Sequence, residues 1–145
     1  MDKINSSELV IKDNFSEMDF DKITSMLTNA YWCKGIQKPE VIKGAQNSAL
    51  CVGVFYNNEQ IGFARTISDK TRFAYIQDVI VDDNYQKQGV GQMMMKHLIN
   101  HPELADVYQW LLITRDAHGV YQKVGFSPVS RPNDWMEIRK PRPDK

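Results

Sequence analysis

Two glycines stand where a predicted strand gives way to a predicted helix. The stretch QKQGVG contains Gly89 and Gly91 and directly follows an apolar run. The first N–H groups of a helix lack partners within it, so they favour an anion, and glycines let a ligand approach the backbone. The preceding side chains Gln86, Lys87 and Gln88 add donors and one positive charge. The loop therefore suits a phosphate or a pyrophosphate.

The same loop also fits a purely structural role. The nucleotide-binding patterns GxGxxG and GKS or GKT are absent, and Met94 occupies the place of a third glycine. The two glycines could simply shape a tight loop and let the helix pack closely on the sheet. The loop alone leaves these two roles open.

Two further side chains could handle protons. Asp78 lies in an otherwise apolar strand shortly before Val81, and burial raises the pKa of a carboxyl group toward the range of a useful base. The alternative is a structural ion pair with Arg65 or Arg115. His118 lies at the start of a later predicted helix, where its imidazole could act as a base, line a binding site or be structural.

The composition limits the classes of partner. Lys plus Arg total 18, as do Asp plus Glu, so the formal net charge is zero and no overall field attracts nucleic acid. Cys33 and Cys51 lack CxxC spacing and nearby histidines, which indicates neither a metal site nor a disulfide framework. No secretion signal or membrane-length apolar run is evident. We expect one cytoplasmic domain, residues 1–145, with no metal, nucleic acid or membrane partner.

Hydrophobic periodicity predicts the elements that must position these groups. Three neighbouring strands with short connections indicate an antiparallel meander, and a later strand reached through a helix indicates a parallel crossover. The predicted elements are a strand at 8–15, a helix after Ser16 and Asp19, a helix from Pro39, strands at 50–56 and 61–67 joined by the turn NNEQ, a strand ending near Val81, a helix from Gly89, a strand at 107–114, a helix in DAHGVYQKVGF and a last strand around WMEI.

Two motifs in this order resemble the GNAT N-acetyltransferase superfamily, with a further likeness to its small bacterial members. In that superfamily a strand ending in valine precedes the pattern Q/R-x-x-G-x-G/A at a helix start, which Gln86, Gly89 and Gly91 match. The later segment TRDAHGVYQKVGF looks like the superfamily's second motif. Its matching residues are Ala117, Tyr121, Gly125 and Phe126. The predicted order of elements is also similar, so the resemblance covers nearly the whole chain.

The resemblance implies an α+β (α/β-like) GNAT fold. It has a mixed central sheet of about six to seven strands and three to four helices, with a V-shaped cleft between the strands ending at Val81 and Thr114. It also implies that acetyl-CoA lies in this cleft. The residues expected to hold it are Val79, Ile80, Val81, Gln86, Lys87, Gln88, Gly89, Val90, Gly91, Gln92, Thr114 and Tyr121. Many members have asparagine where this chain has Thr114, which leaves one polar contact open.

The implied reaction is acetyl transfer to a primary amine. Such a transfer needs a neutral nucleophile, stabilisation of an oxyanion and a proton for the departing thiolate. By resemblance Tyr121 supplies that proton, although a tyrosine at this position could also simply anchor its helix in the core. Asp78, His118 or water would then serve as the base.

The acceptor site and the activity are expectations of the same kind. Aromatic side chains with an arginine suit an amine that has an apolar body and a carboxylate. The expected lining residues are Tyr31, Trp32, Arg65, Tyr75 and Trp135. We expect an N-acetyltransferase for a small amine or amino-acid-like molecule, in a chain that could form a homodimer. A peptide or protein N-acetyltransferase and an acyl-CoA-binding sensor with little turnover are the alternatives.

Overall fold

A mixed five-stranded sheet forms the centre of the protein, as a computed structural model that describes residues 3–143 shows. The strands lie in chain order across the sheet, and only the last pairing is parallel. The elements are β1 (Leu9–Lys12), α1 (Phe20–Leu27), α2 (Lys38–Gln46), β2 (Leu50–Tyr56), β3 (Glu59–Ser68), β4 (Phe73–Val81), α3 (Val90–Ile99), β5 (Gln109–Leu111) and α4 (His118–Gln122). This confirms the predicted fold class, with five strands in place of the six to seven expected.

The first two helices begin at the signals that the sequence carries. The Asp19 carboxylate accepts the N–H of Lys22 at 3.1 Å, so Asp19, and not Ser16, caps α1. Pro39 lies in the first turn of α2, where its missing N–H leaves no hydrogen bond unmade. Both helices bury apolar side chains, including the fully buried Ile23, against one face of the sheet.

The opposite face of the sheet packs against α3. Successive strand residues point to opposite faces, so Cys51 belongs to the core under α1 and α2 while Val52 belongs to the core under α3. Gly62 permits this packing because a Cβ there would lie 3.0 Å from Cγ1 of Val90. Between residues 3 and 143, no helix is both long and apolar enough to cross a bilayer.

The hairpin between β2 and β3 turns more tightly than predicted. Asn57 and Asn58 both have positive φ, of 51° and 65°, which is the requirement of a two-residue type I′ turn. Asparagine tolerates this conformation better than most residues do. The strand β3 therefore begins at Glu59, inside the four-residue NNEQ turn that the sequence suggested.

A bulge interrupts β4 at Asp78. Phe63 of β3 pairs with Ile80, while Arg65 pairs with Gln77, so the single residue between them on β3 faces both Asp78 and Val79. Asp78 has a φ of 60°, a left-handed conformation that is uncommon outside glycine. The extra residue re-aims the Asp78 side chain at the point where β4 leaves its parallel neighbour.

The parallel ladder between β4 and β5 is short. It joins Phe73–Tyr75 to Gln109–Leu111, and β4 then continues to Val81 without a strand beside it on that edge. The predicted strand at 107–114 is therefore too long, because residues 112–114 part from β4. A wedge-shaped opening results, as the resemblance implied.

The predicted last strand around WMEI is wrong. No residue that the structure describes beyond α4 joins the sheet, and Met136 and Ile138 are 95% and 91% exposed. The apolar alternation suits a strand, but β5 offers an edge of only three residues. The chain instead passes back toward α2, where Arg142 donates to the carbonyl of Lys34 at 2.7 Å and pairs with Glu40.

Candidate functional site

The wedge between β4 and residues 112–114 opens into a cavity of about 620 Å³. It collects side chains from the segment after α1, from β4, from the end of β5 and from α4. The lining residues that the sequence analysis had selected are Tyr31, Trp32, Tyr75, Asp78, Val79, Thr114 and Tyr121. Residues more than 80 positions apart in the sequence therefore meet in one cleft. This cleft is the candidate active site.

The glycine loop has the backbone geometry of an anion site. Lys87 and Gly89 have positive φ, of 62° and 84°, and Gly89 is the residue from which the ten-residue helix α3 starts. Alternation of left-handed and right-handed residues turns successive N–H groups toward one side. A Cβ added at Gly89 or Gly91 would meet no atom within 4 Å. The loop is thus open to a ligand, and its backbone donors suit an anionic group such as a phosphate.

Most side chains of this loop make contacts within the protein that fix the shape of the loop. Gln86 donates to the carbonyl of Val81 and to the Asp83 carboxylate, and Gln88 accepts the N–H of Ile4 at 2.8 Å. Val90 is buried under the sheet, so only its backbone can serve a ligand. The predicted role of these residues in cofactor binding therefore stays a prediction for their amides, with Lys87 as the exposed cation.

The remaining predicted cofactor residues are placed along β4 and α3. Val79 lines the cleft, whereas Ile80 and Val81 pack against the cores on the two faces of the sheet. Gln92 is half-buried in the first turn of α3. The unpaired edge of β4 offers backbone groups to an amide-bearing ligand arm, as strand addition requires.

Asp78 is held by two partners in the cleft. Its Oδ2 accepts from Nε of Arg65 at 2.8 Å, and its Oδ1 accepts from Nε1 of Trp32 at 3.0 Å. The side chains of the ion pair are only 14% and 9% exposed. The structural ion pair that the sequence left open for Asp78 is therefore present with Arg65. The carboxylate nevertheless lines the cleft, and its role as a base stays a prediction.

The guanidinium of Arg65 donates its hydrogen bonds to other groups of the protein. Besides Asp78, its guanidinium donates to the Gly44 carbonyl, the Ser48 hydroxyl and the Gln77 side-chain oxygen at 3.2 to 3.3 Å. Gly44 provides the space that the guanidinium occupies, since a Cβ there would lie 3.3 Å from Cζ of Arg65. Arg65 does not line the 620 Å³ cavity. Its geometry is that of a residue that positions Asp78, and its predicted contact with an acceptor is left untested.

Tyr121 stands at the inner wall of the cleft. Burial is the main reason that its pKa is raised, so the phenol stays protonated at neutral pH. Its ring packs edge-on against Phe126, with 6.2 Å between the centroids. Thr114 fixes the approach to α4, because its hydroxyl accepts the Ala117 N–H at 3.1 Å. The Tyr121 ring, which packs against Phe126, therefore lines the same cavity as Val79 of β4, and its role as a proton donor stays a prediction.

Like Arg65, the predicted residues His118 and Trp135 do not line this cleft. His118 is exposed and lines a smaller cavity of about 160 Å³ between β5 and α4. Trp135 lines a third cavity, of about 460 Å³, beside Tyr108 and Arg131. Neither residue is brought to Asp78, and their predicted roles stay predictions.

Two arginines in the cleft were not predicted for it. The Arg115 guanidinium stacks over the Tyr31 ring at 4.2 Å, and the Arg115 N–H donates to the Tyr31 hydroxyl. Arg139 enters from the C-terminal segment and lines the same cavity as Tyr75. The alternating apolar and charged residues before Arg139 predict a strand, and no other local signal indicates that this segment reaches the cleft.

These elements define an acyltransferase fold of known type. The sequence profile described as "Acetyltransferase (GNAT) family" matches residues 17–126. The chain therefore belongs to the GNAT family of acetyltransferases, which confirms the predicted family and the expectation of an enzyme.

Individual relatives agree with this assignment. A GNAT-family acetyltransferase structure from Xanthomonas campestris pv. campestris is 32% identical, with a TM-score of 0.83 over 92% of this chain and 94% of that one. An uncharacterized N-acetyltransferase, ycf52, of Pyropia yezoensis is 25% identical over 130 residues, 86% of this chain and 74% of the relative. A Clostridium acetobutylicum acetyltransferase with acetyl-CoA shares the fold alone, at 16% identity and a TM-score of 0.68 over 90% of this chain and 96% of that one.

Proposed function

We propose that this chain transfers an acetyl group from acetyl-CoA to the primary amine of a small, amino-acid-like molecule. The observation that carries the proposal is the single cleft that joins Tyr121 to Asp78 along the unpaired edge of β4. Bound acetyl-CoA would supply an activated thioester. The amides at the start of α3 would hold its pyrophosphate, with Lys87 beside them.

The protein's own groups would then manage protons and position. Tyr121 keeps its hydroxyl proton at neutral pH, as an ordinary tyrosine does, and burial raises its pKa further, so it can donate to a departing sulfur. Asp78 is held by Arg65 and Trp32 and can accept an N–H from the incoming amine. Tyr121 and Asp78 would therefore be held in place before the reaction begins, which is the main contribution of a preorganised site.

The acceptor class follows from two of the charged side chains that line the cleft, which also include Arg115 and Asp116. Asp78 attracts an ammonium group, and Arg139 places a cation on the same cavity. An acceptor with an amine and a carboxylate would match both groups, with the rings of Tyr31 and Tyr75 against its apolar part. Arg139 thus takes the role that the sequence had assigned to Arg65.

Thiol release from acetyl-CoA tests this function. The panel contains amino acids, their decarboxylated amines and short peptides, with a control that lacks acceptor. We expect turnover with a carboxylated amine, and Arg139→Gln should raise its KM about tenfold or more, the scale of one charge-assisted contact. Arg131→Gln is the matched control, because Arg131 is exposed and lines another cavity.

Other outcomes would favour the alternatives. Turnover with peptides alone would support a peptide N-acetyltransferase, and tight binding of acetyl-CoA without turnover on any acceptor would support a sensor. An unchanged KM for the Arg139→Gln variant would contradict the carboxylate site. We also propose a reducing, cytoplasmic setting, which is consistent with the two buried free cysteines, Cys33 and Cys51.

A further inference from the structure

Three potential metal ligands converge far from the acetyl-transfer cleft. Nε2 of His97 lies 2.9 Å from Oδ2 of Asp13, and Nε2 of His101 lies 3.1 Å from the same oxygen. The three ligand atoms all lie within 4.8 Å of one another. Asp13 directly follows β1, His97 lies in the last turn of α3 and His101 lies two residues beyond its end, so residues 84 and 88 positions apart meet here.

We propose that Asp13, His97 and His101 form a binding site for a divalent transition-metal ion of the zinc class. Two imidazoles and one carboxylate are a common ligand set for zinc. Residues four apart lie on the same side of a helix, and just past the end of α3 the His101 N–H donates to the Leu98 carbonyl, a turn from which both imidazoles reach Asp13. With metal–ligand distances of about 2.1 Å, two ligands of a tetrahedral ion lie roughly 3.4 Å apart. The two histidine–aspartate separations need to widen by only a few tenths of an ångström, and the two imidazole nitrogens already lie within 4.8 Å of each other.

The surroundings favour a cation. The last turn of α3 carries the negative end of the helix dipole, and the three side chains are 16% to 30% exposed, so the ion would be partly shielded from water. A cavity of about 360 Å³, lined by Asp13 and Glu103, adjoins the cluster. This space can hold the water or external ligand that completes the coordination of a three-ligand site.

One contact opposes the ion and sets a condition on its binding. Nδ1 of His101 accepts the N–H of Glu103 at 3.2 Å, which assigns the proton of the neutral ring to Nε2. Metal binding at Nε2 would move that proton to Nδ1, so the contact with Glu103 must be released. The loss is that of one ordinary hydrogen bond, small beside the affinity of a zinc ligand set.

The site is separate from the proposed acetyl-transfer site. The anion loop lies at the start of α3 and the histidines lie at its end, about 15 Å away for ten residues at a rise of about 1.5 Å. The ion would tie the end of β1 to the end of α3. It would act as a staple between two elements and take no part in the chemistry of Tyr121.

Calorimetric titration of tag-free, chelator-treated protein with Zn²⁺ tests the site. We expect one ion per chain, and a thermal midpoint that rises by several degrees once Zn²⁺ is well above the dissociation constant. His97→Gln and Asp13→Asn should each weaken binding on the order of 100-fold. His118→Gln is the control, because it removes the third histidine of the chain and leaves the cluster intact.

The spectrum of bound Co²⁺ gives a second readout. It should show nitrogen and oxygen ligation without a sulfur charge-transfer band, since both cysteines lie outside the cluster. Absence of a saturable one-to-one event in the wild-type titration would overturn the proposal, whatever the folding of the variants. Binding that survives in both cluster variants would do the same, and the three residues would then form only a hydrogen-bonded clamp.

Discussion

Replacing Arg65 with methionine should destabilise the protein more than the same replacement of a surface arginine does. The variant keeps the length of the side chain but leaves the Asp78 carboxylate, 9% exposed, without its cation. The acceptors on Gly44, Ser48 and Gln77 also lose their donor. Removing one partner of a buried ion pair costs about 3–5 kcal/mol, because the other charge stays desolvated.

The lower end of that range is the better expectation here. Trp32 still donates to Asp78 at 3.0 Å, and both charges keep some contact with water. We therefore expect a loss of about 3 kcal/mol in the free energy of unfolding. With an unfolding entropy of about 2.1 cal/mol/K per residue over 145 residues, the thermal midpoint should fall by about 10 °C.

Urea unfolding followed by circular dichroism measures this loss. The matched control is Arg131→Met, which removes an exposed arginine with 82% of its side chain accessible and should change stability by no more than about 0.5 kcal/mol. Adding Asp78→Asn to Arg65→Met should recover part of the loss, because the unpaired charge is gone and asparagine tolerates the positive φ. Equal losses for Arg65→Met and the control would refute the buried-pair reasoning.

Three further predictions follow from the site and the core. Tyr121→Phe should lower kcat by about 10²–10⁴-fold with little change in acetyl-CoA affinity, and an unchanged rate would return the residue to a packing role. Burial acts to raise the pKa of Asp82, but the ion pair with Lys22 at 2.6 Å outweighs burial, so the pKa is lowered. Its stabilisation is therefore present above the unfolded pKa and is lost as the pH falls through the folded value. In Asp82→Asn, the free energy of unfolding should therefore fall less steeply than in the wild type as the pH drops below about 4. Urea unfolding at several pH values measures this, and an equal pH dependence in both proteins would contradict it. Cys33 and Cys51 have pKa values that burial raises to about 11, so they should resist alkylation at pH 8 until the protein unfolds, as mass spectrometry would show.

The local signals of the sequence predicted the fold well. Asp19 and Pro39 set helix starts, and Gly89 sets the start of α3, because capping and positive φ depend on few neighbours. The strand around WMEI failed for the opposite reason. Whether an apolar segment becomes a strand depends on a free sheet edge, which no local pattern records.

The site was predictable only in part. Sequence motifs predict Tyr121 and the glycine loop. The hydrogen-bond acceptors of Arg65 come from α2, β4 and the loop before β2, and only the folded chain brings them together. Arg139 reaches the cleft from the C-terminal segment in the same way.

The histidine pair was missed for a related reason. His97 and His101 have the spacing of a metal-ligand pair, whereas the sequence prediction of no metal rests on the spacing of Cys33 and Cys51. Their third partner, Asp13, lies 84 positions from His97 in the chain. The pattern became visible only when the fold placed the end of β1 beside α3.

The proposed function depends above all on binding of the acetyl-CoA pyrophosphate at the open start of α3. Gly91→Glu tests it, because the new side chain would enter space with no atom within 4 Å, and a glutamate in the first turn suits the helix dipole. The fold should therefore survive while bulk and negative charge occupy the anion site.

Calorimetric titration with acetyl-CoA makes the comparison. Lys96→Gln is the control, since it changes the net charge by the same amount at an exposed position nearer the other end of α3. We predict an affinity at least 100-fold weaker for Gly91→Glu than for the wild type, and near-wild-type affinity for the control. Unchanged affinity in a folded Gly91→Glu variant would mean that the pyrophosphate does not bind at the start of α3.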